Sequence, residues 1–181
     1  MEEKDIIIKL INGKKEYFNI LVDKVKKRLY VIAYSRLQNK LDAEDTVQET
    51  LFEVYKNIKK LKEYEKFNSW ITTILINKCN YIYRKNKRNL NTFKEQSYLY
   101  DYNQIQSDNV ICDIENKLDF FNLLNCLELE DRTLIAMFYS DEYSSKEISN
   151  ILNINENTIR SKLKRARDKI KYIIERGEEN E

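Results

Sequence analysis

Across 181 residues the sequence contains no proline and only two glycines, Gly13 and Gly177. A sheet architecture needs tight turns at short intervals, and Gly and Pro supply most of them. Helices, by contrast, can be joined by Asn, Asp and Ser. The chain is therefore expected to be all-α, and its apolar spacing supports this. Phe18, Leu21, Val22, Val25, Leu29 and Ile32 recur every three or four residues, which predicts a helix over 14–37. Val47, Leu51, Val54 and Ile58 predict a second over about 43–60, and Trp70, Ile71, Ile74, Leu75 and Ile82 a third over about 68–87.

The pattern changes at Arg88. The stretch that follows, to about Asp113, is rich in Asn, Gln, Ser and Asp, has weak periodicity and is longer than an ordinary connection. Helical spacing resumes with Leu118, Phe121, Leu124, Leu134, Ile135, Phe138, Ile148, Ile151, Leu152, Ile159, Leu163 and Ile170. Two small helical domains are expected, an N-terminal bundle over 1–88 and a C-terminal helical domain over 114–181, joined by a flexible acidic linker over 89–113. Charge follows the same division. The formal net charge is only +2, yet residues 56–88 hold ten basic side chains against Glu63 and Glu65, and residues 156–171 hold seven against Glu156 and Asp168. Residues 42–53 hold five acids and no base. Local charge, not the total, governs encounter with a polyanion within a Debye length of about 10 Å.

Several functional classes are disfavoured. There is no histidine, which removes the commonest general base, the commonest metal ligand and any Ser-His or Cys-His nucleophile. Asp45 and Glu49 lie one helical turn apart and could together approach a divalent ion, but no histidine or matching acidic helix accompanies them. No metal, cofactor or enzymatic activity is expected. The opening MEEKDIIIKLI has a short apolar run behind acids, unlike a secretory signal, and nowhere do about 18 apolar residues follow one another. A cytoplasmic protein is expected. Cys79, Cys112 and Cys126 are odd in number and widely spaced, as suits reduced thiols.

The most specific local pattern is SSKEISNILNINENTIRSKLKRARDKI, residues 144–170. A first helix is predicted from Ser144 or Ser145, with Glu147 completing a capping box and Ile148, Ile151 and Leu152 facing inward. Asn153, Ile154 and Asn155 form the turn, and a second helix starts near Glu156. Its apolar stripe of Ile159, Leu163, Ala166 and Ile170 leaves Asn157, Arg160, Ser161, Lys164, Arg165 and Asp168 on other faces. This is helix-turn-helix geometry, in which the second helix enters a major groove. The bland alternative is an amphipathic helix with a solvated basic face.

Two further segments carry chemistry. In DAEDTVQET, residues 42–50, Asp42 is placed to cap a helix whose neighbouring stripe of Asp45, Gln48, Glu49 and Phe52 suits protein docking or, blandly, solvent. Residues 67–88 interleave Phe67, Trp70, Tyr81 and Tyr83 with Lys78, Arg84, Lys85, Lys87 and Arg88. Aromatic faces that stack on unpaired bases beside cations that follow phosphate are the combination single-stranded DNA calls for. The bland alternative is that Phe67 and Trp70 are core, and Trp70, in register with Ile74, reads so.

These motifs, in this order on either side of an acidic linker, resemble the extracytoplasmic-function sigma factors of the sigma-70 family, from about Phe18 to Ile170. The resemblance implies an RNA polymerase subunit that directs promoter recognition, melting and transcription initiation. DAEDTVQET looks like the segment that binds the clamp helices of the largest polymerase subunit, assigning docking to Asp45, Gln48, Glu49 and Phe52. Minus-ten contact would fall on Lys66, Phe67, Asn77, Lys78, Tyr81, Arg84 and Lys85, with Asn77 and the loop from about Lys59 to Asn68 capturing a flipped base. Minus-thirty-five contact would fall on Asn157, Thr158, Arg160, Ser161, Lys164 and Arg165. The partners implied are core RNA polymerase, promoter DNA both duplex and melted, and a membrane-anchored anti-sigma factor. The chain departs from the pattern where Leu127, Glu128 and Leu129 replace Leu-Pro-Glu, where Tyr81 stands at a position more often Asp or Asn, and where the turn before the helix-turn-helix reads Glu142, Tyr143 and Ser144. The rival reading is a dimeric helix-turn-helix regulator that binds duplex DNA without polymerase.

Overall fold

The computed structural model describes residues 2–93, 120–121, 123–140 and 143–178, and within them the chain is helical with no strand. The helices are α1 (Glu3–Ile11), α2 (Phe18–Leu37), α3 (Lys40–Asn57), α4 (Phe67–Phe93), α5 (Leu129–Ser140), α6 (Ser145–Leu152) and α7 (Glu156–Glu178). Single 3-10 turns at Lys15–Tyr17, Ile58–Lys60 and Tyr64–Lys66 lead into or out of α2, α3 and α4.

Polar residues stop and start these helices, as the shortage of Gly and Pro requires. α2 ends at Gln38, which adopts the left-handed conformation (φ 52°) while its side-chain amide donates to the carbonyls of Tyr34 and Ser35, both at 3.2 Å. Two carbonyls of the last turn are thereby satisfied without the usual glycine. α3 is capped by Asn39, whose Oδ1 accepts the Asp42 N–H at 3.0 Å. The expectation that Asp42 caps this helix is thus corrected. The helix begins earlier, and Asp42 serves as a first-turn acid facing the positive end of the dipole. α4 continues to Phe93, beyond the break expected at Arg88, because Asn, Leu and Thr cost a helix little when no Gly or Pro interrupts it. The linker expected over 89–113 therefore starts as helix through residue 93, and its remainder lies outside the described residues. α1 was not anticipated. Ile6, Ile7 and Leu10 bury its inner face, and Glu3 holds Arg28 of α2 at 3.1 Å.

α2 is the central element. Leu21, Val25, Leu29 and Ile32 are fully buried along it, and α1, α3, α4 and α5 all pack against it. Val47, Leu51 and Val54 of α3 and Phe67, Ile71 and Leu75 of α4 complete the first half of the core. The second half comes from α5, from Ile148 and Ile151 of α6, and from Ile159, Leu163 and Ala166 of α7. Full burial of one such side chain contributes about 1.5–3 kcal/mol. Five consecutive residues of α5, Thr133 to Met137, are buried. A helix that lies on the surface of a small domain hides only a stripe. α5 is enclosed from both sides, by α6 and α7 and by α2, and the buried apolar residues form one cluster spanning both halves. Polar bonds cross the same junction. Arg36 of α2 donates from Nε to Asn80 Oδ1 of α4 at 2.9 Å and from Nη1 to Thr133 Oγ1 of α5 at 3.1 Å. Burial draws this guanidinium below its ordinary pKa, while Cys79 and Glu130 act in the opposite direction.

Cys79 is fully enclosed in α4, and burial pushes its thiol up to about 12 from 9.0. A folded-state pKa above the unfolded one means stability that is intact below pH 9 and lost as pH rises toward the folded value. Urea titrations are expected to show the unfolding free energy falling by up to about 1.4 kcal/mol per pH unit above pH 9. Tyr30, pushed up to about 12 chiefly by burial, adds to this only above pH 10. Cys79→Ala should flatten the portion between pH 9 and 10, and an unchanged slope there would rule the thiol out as its source.

Candidate nucleic-acid interface

α3 buries Ala43, Thr46, Val47, Thr50, Leu51 and Val54 and turns its other side outward. The buried Thr50 hydroxyl is satisfied by donating to the Thr46 carbonyl at 2.8 Å. Asp45, Gln48, Glu49 and Phe52 are all exposed, Phe52 to 59 per cent, with Lys56 Nζ over its ring at 4.0 Å. Leu41 is 70 per cent exposed. Leu41, Asp45, Gln48 and Phe52 follow the i, i+4, i+7, i+11 spacing of one helical face. Leu41 was missed from the sequence because the helix was taken to begin after it. Two large exposed apolar groups among carboxylates are unusual for a purely solvated face.

α4 divides the candidate minus-ten residues. Asn77, Tyr81, Arg84 and Lys85 share one outward face, with Tyr81 68 per cent exposed. Lys78 is half-buried on the side toward α3 and pairs with Glu49 at 3.1 Å, so one ion pair joins the candidate docking face to the candidate DNA face. Lys66 is exposed but pairs locally with Glu63 at 2.9 Å. Phe67 requires correction. It was expected to contact DNA, yet it is fully buried, because Phe67, Ile71 and Leu75 repeat every four residues and face the core together. It has no face free to stack on a base in this arrangement. Trp70 is half-buried beside it, with ring centroids 6.3 Å apart. Asn68, at the start of α4, receives a hydrogen bond on its side chain from Arg28.

The helix-turn-helix is built by its caps. Ser144 Oγ accepts the Glu147 N–H at 3.2 Å and the Glu147 carboxylate accepts the Ser144 N–H at 2.9 Å, the reciprocal pair of a capping box. α6 ends at Asn153 in the left-handed conformation (φ 54°), and Asn155 Oδ1 accepts the Asn157 N–H at 2.9 Å to open α7. Inside α7, Ile159, Leu163 and Ala166 are buried, while Asn157, Thr158, Arg160, Ser161, Lys164 and Arg165 are exposed together.

The cations of α7 have different roles. Lys162 is half-buried and clamps α5 through Glu130 at 2.6 Å and Asp131 at 3.8 Å. That hydrogen bond raises the Lys162 pKa and lowers that of Glu130. Arg167 lies 5.2 Å from the Phe138 ring centroid and donates to the Leu163 carbonyl. These two support the fold. Arg160 is steadied by Glu156 at 2.6 Å, and Ser161 Oγ donates to the Thr158 carbonyl at 2.9 Å. Among the described residues, nothing accepts a hydrogen bond from Lys164 or Arg165, which point away from the core with their charges available.

Residues 21–89 match the family model for sigma-70 region 2, and residues 117–170 match that for sigma-70, region 4. The ECF RNA polymerase sigma factor SigW of Bacillus subtilis is 32% identical over 167 residues, covering 88% of this chain and 89% of the relative. The ECF RNA polymerase sigma-E factor of Haemophilus influenzae is 24% identical over 183 residues, covering 97% and 96%. Among solved structures, the sigma factor RpoE in complex with the anti-sigma factor NepR, from Bartonella quintana, superposes with a TM-score of 0.70 at 23% identity, covering 87% of this chain and 96% of that one. CnrH in complex with the cytosolic domain of CnrY gives 0.66 at 18% identity, covering 96% and 97%. With both regions matched in order and a relative of this identity aligned along most of both chains, the protein belongs to the extracytoplasmic-function group of sigma-70-family RNA polymerase sigma factors.

Proposed function

We propose that the outward face of α3, carrying Asp45, Gln48, Glu49 and Phe52 together with Leu41, docks on core RNA polymerase. The exposed face of α4, with Asn77, Tyr81, Arg84 and Lys85, then holds the melted minus-ten strand, with Lys66 and Lys78 beside it. The first turns of α7, with Asn157, Thr158, Arg160, Ser161, Lys164 and Arg165, read the minus-thirty-five duplex in its major groove. Residues 1–88 carry the first two tasks and residues 114–181 the third, joined by the linker over 89–113. The chain works by binding and strand capture in the cytoplasm, without cofactor or covalent chemistry. An anti-sigma factor, the kind of partner RpoE has in its complex with NepR, is its regulator.

The observation that carries this reading is the difference between the two cationic faces. On α4 an exposed tyrosine lies among arginine and lysine, which suits unstacked bases. On α7 arginine, serine and lysine stand at the entry of a helix-turn-helix, where arginine can pair with a guanine edge and lysine with phosphate. Tethering both faces to polymerase raises their effective concentration at one promoter without any new contact.

Run-off transcription on genomic fragments, with purified core enzyme and this chain, is expected to yield defined start sites that neither component yields alone. Initiation unaffected by the chain would defeat the reading. Glu49→Lys should remove the chain from a polymerase pull-down with helicity kept, since losing the exposed pair with Lys78 costs at most about 1 kcal/mol. Arg165→Ala should weaken binding of holoenzyme to promoters by about 1–3 kcal/mol in a manner dependent on the upstream element, and leave polymerase binding unchanged.

A further inference from the structure

Lys15, Lys56 and Lys59 belong to none of the three proposed surfaces, yet they line one cavity of about 310 Å³. It lies where the 3-10 turn after α1 and the start of α2 face the end of α3 and the turn that follows it. Small-molecule sites occupy roughly 300–1,000 Å³, so the volume suffices for a ligand of modest size. Leu10 and Ile58 contribute apolar surface from the core side, where both are buried. Phe18 and Tyr55 supply the aromatic wall and meet edge-on, ring centroids 5.0 Å apart. The Lys15 ammonium stands 4.9 Å from the Tyr55 centroid. Lys59 lies against Gly13, where a Cβ would come within 3.1 Å of its Nζ and where φ is 87°, a conformation that favours glycine. The backbone is therefore bare where this lysine passes.

Charge sets this cavity apart from the rest of the surface. Exposed lysines elsewhere are neutralised close by, Lys26 by Asp23, Lys66 by Glu63 and Lys171 by Glu175. Among the described residues no acid lines the cavity, and no carboxylate pairs with Lys15, Lys56 or Lys59. Like charges gathered without a counter-charge repel one another, and an entering anion relieves that repulsion. A bare inorganic anion would leave the apolar and aromatic lining unused. We propose that the cavity binds a free nucleoside diphosphate, its base against Phe18 and Tyr55 and its phosphates among the three ammonium groups. A terminal phosphoryl group carries about −1.5 to −2 near pH 7 and the inner one adds about −1, so the diphosphate matches three lysines. Aromatic faces and charge-assisted hydrogen bonds are the two contacts such a ligand calls for. The site is separate from the proposed DNA faces, since no residue of α4 or α7 lines it. It goes beyond the sigma-factor reading and does not depend on it.

The test is calorimetric titration of the full-length chain with ADP and GDP, with their nucleosides, and with pyrophosphate. At least one diphosphate should bind, one molecule per chain, about tenfold or more tightly than its nucleoside or pyrophosphate, because each of those lacks half of the contacts. Lys15→Gln combined with Lys59→Gln should weaken binding by about tenfold or more, the factor expected for lost hydrogen bonds to charged groups. Tyr55→Leu, which keeps apolar surface but removes the ring, should weaken it by about fivefold or more. Lys15, Tyr55 and Lys59 are all exposed, so circular dichroism should show helicity retained, and Lys56→Gln alone serves as a second charge variant if the pair fails to fold. A control with the same loss of charge, Lys24→Gln with Lys27→Gln, alters exposed residues of α2 outside the cavity and should leave affinity unchanged. No binding of either diphosphate, pyrophosphate binding as tightly as the nucleotide, or an equal loss in the control would overturn the proposal. So would a short DNA single strand whose binding the cavity substitutions weaken while neither nucleotide binds. Because polymerase is absent throughout, none of these outcomes bears on the proposed docking of α3.

Discussion

The enclosure of α2 between neighbours on more than one side is the constraint on which the rest of the molecule depends. A chain with two glycines and no proline makes its tight reversals at polar residues such as Gln38 and Asn153, and its long helices cover one another along their lengths. Leu21, Val25, Leu29 and Ile32 give α2 the inner surface against which α3 and α4 are aligned, and that alignment sets the outward faces of both. The same helix meets α5, so one element sets the register of the outward faces of α3 and α4 and the attachment of the helix-turn-helix. Truncating Leu29 to alanine would remove about 2–5 kcal/mol, comparable to the whole margin of a small domain.

Charge in this protein is divided by the partners that the fold supplies. Arg28, Arg36, Lys162 and Arg167 are held by Glu3, Asn80 with Thr133, Glu130, and Phe138 respectively, and they join helices to one another. Arg84, Lys85, Lys164 and Arg165 remain on the outside, where their charge can meet phosphate. Lys78 lies between these groups, held by Glu49 and yet beside Asn77 and Tyr81. A count of basic residues along the chain therefore overstates the nucleic-acid surface. Which cation is structural depends on the partner that the fold places next to it.

The parts of the structure decided by neighbours a few residues apart were legible in the sequence. The capping box of Ser144 and Glu147, the left-handed Asn153 and the inward stripe of Ile159, Leu163 and Ala166 follow from local chemistry, and the outward set on α7 follows from that stripe. Phe67 was assigned to DNA contact by the resemblance, whereas its four-residue register with Ile71 and Leu75 places it in the core. Asp42 lost its capping role to Asn39 because both residue types cap well and only tertiary packing decides where α3 begins. The junction between the halves could not be read at all. Arg36 finds its partners 44 and 97 residues away, and Tyr143 finds Thr72 71 residues away, at distances where no periodicity carries information.

The functional reading stands on the proposed docking of the outward face of α3 on core polymerase. Hydrogen exchange, followed by mass spectrometry on the free chain and on its complex with core enzyme, addresses it directly. Amides of residues 41–52 should exchange more slowly in the complex than in the free chain. Identical exchange in the presence and absence of polymerase would contradict the account.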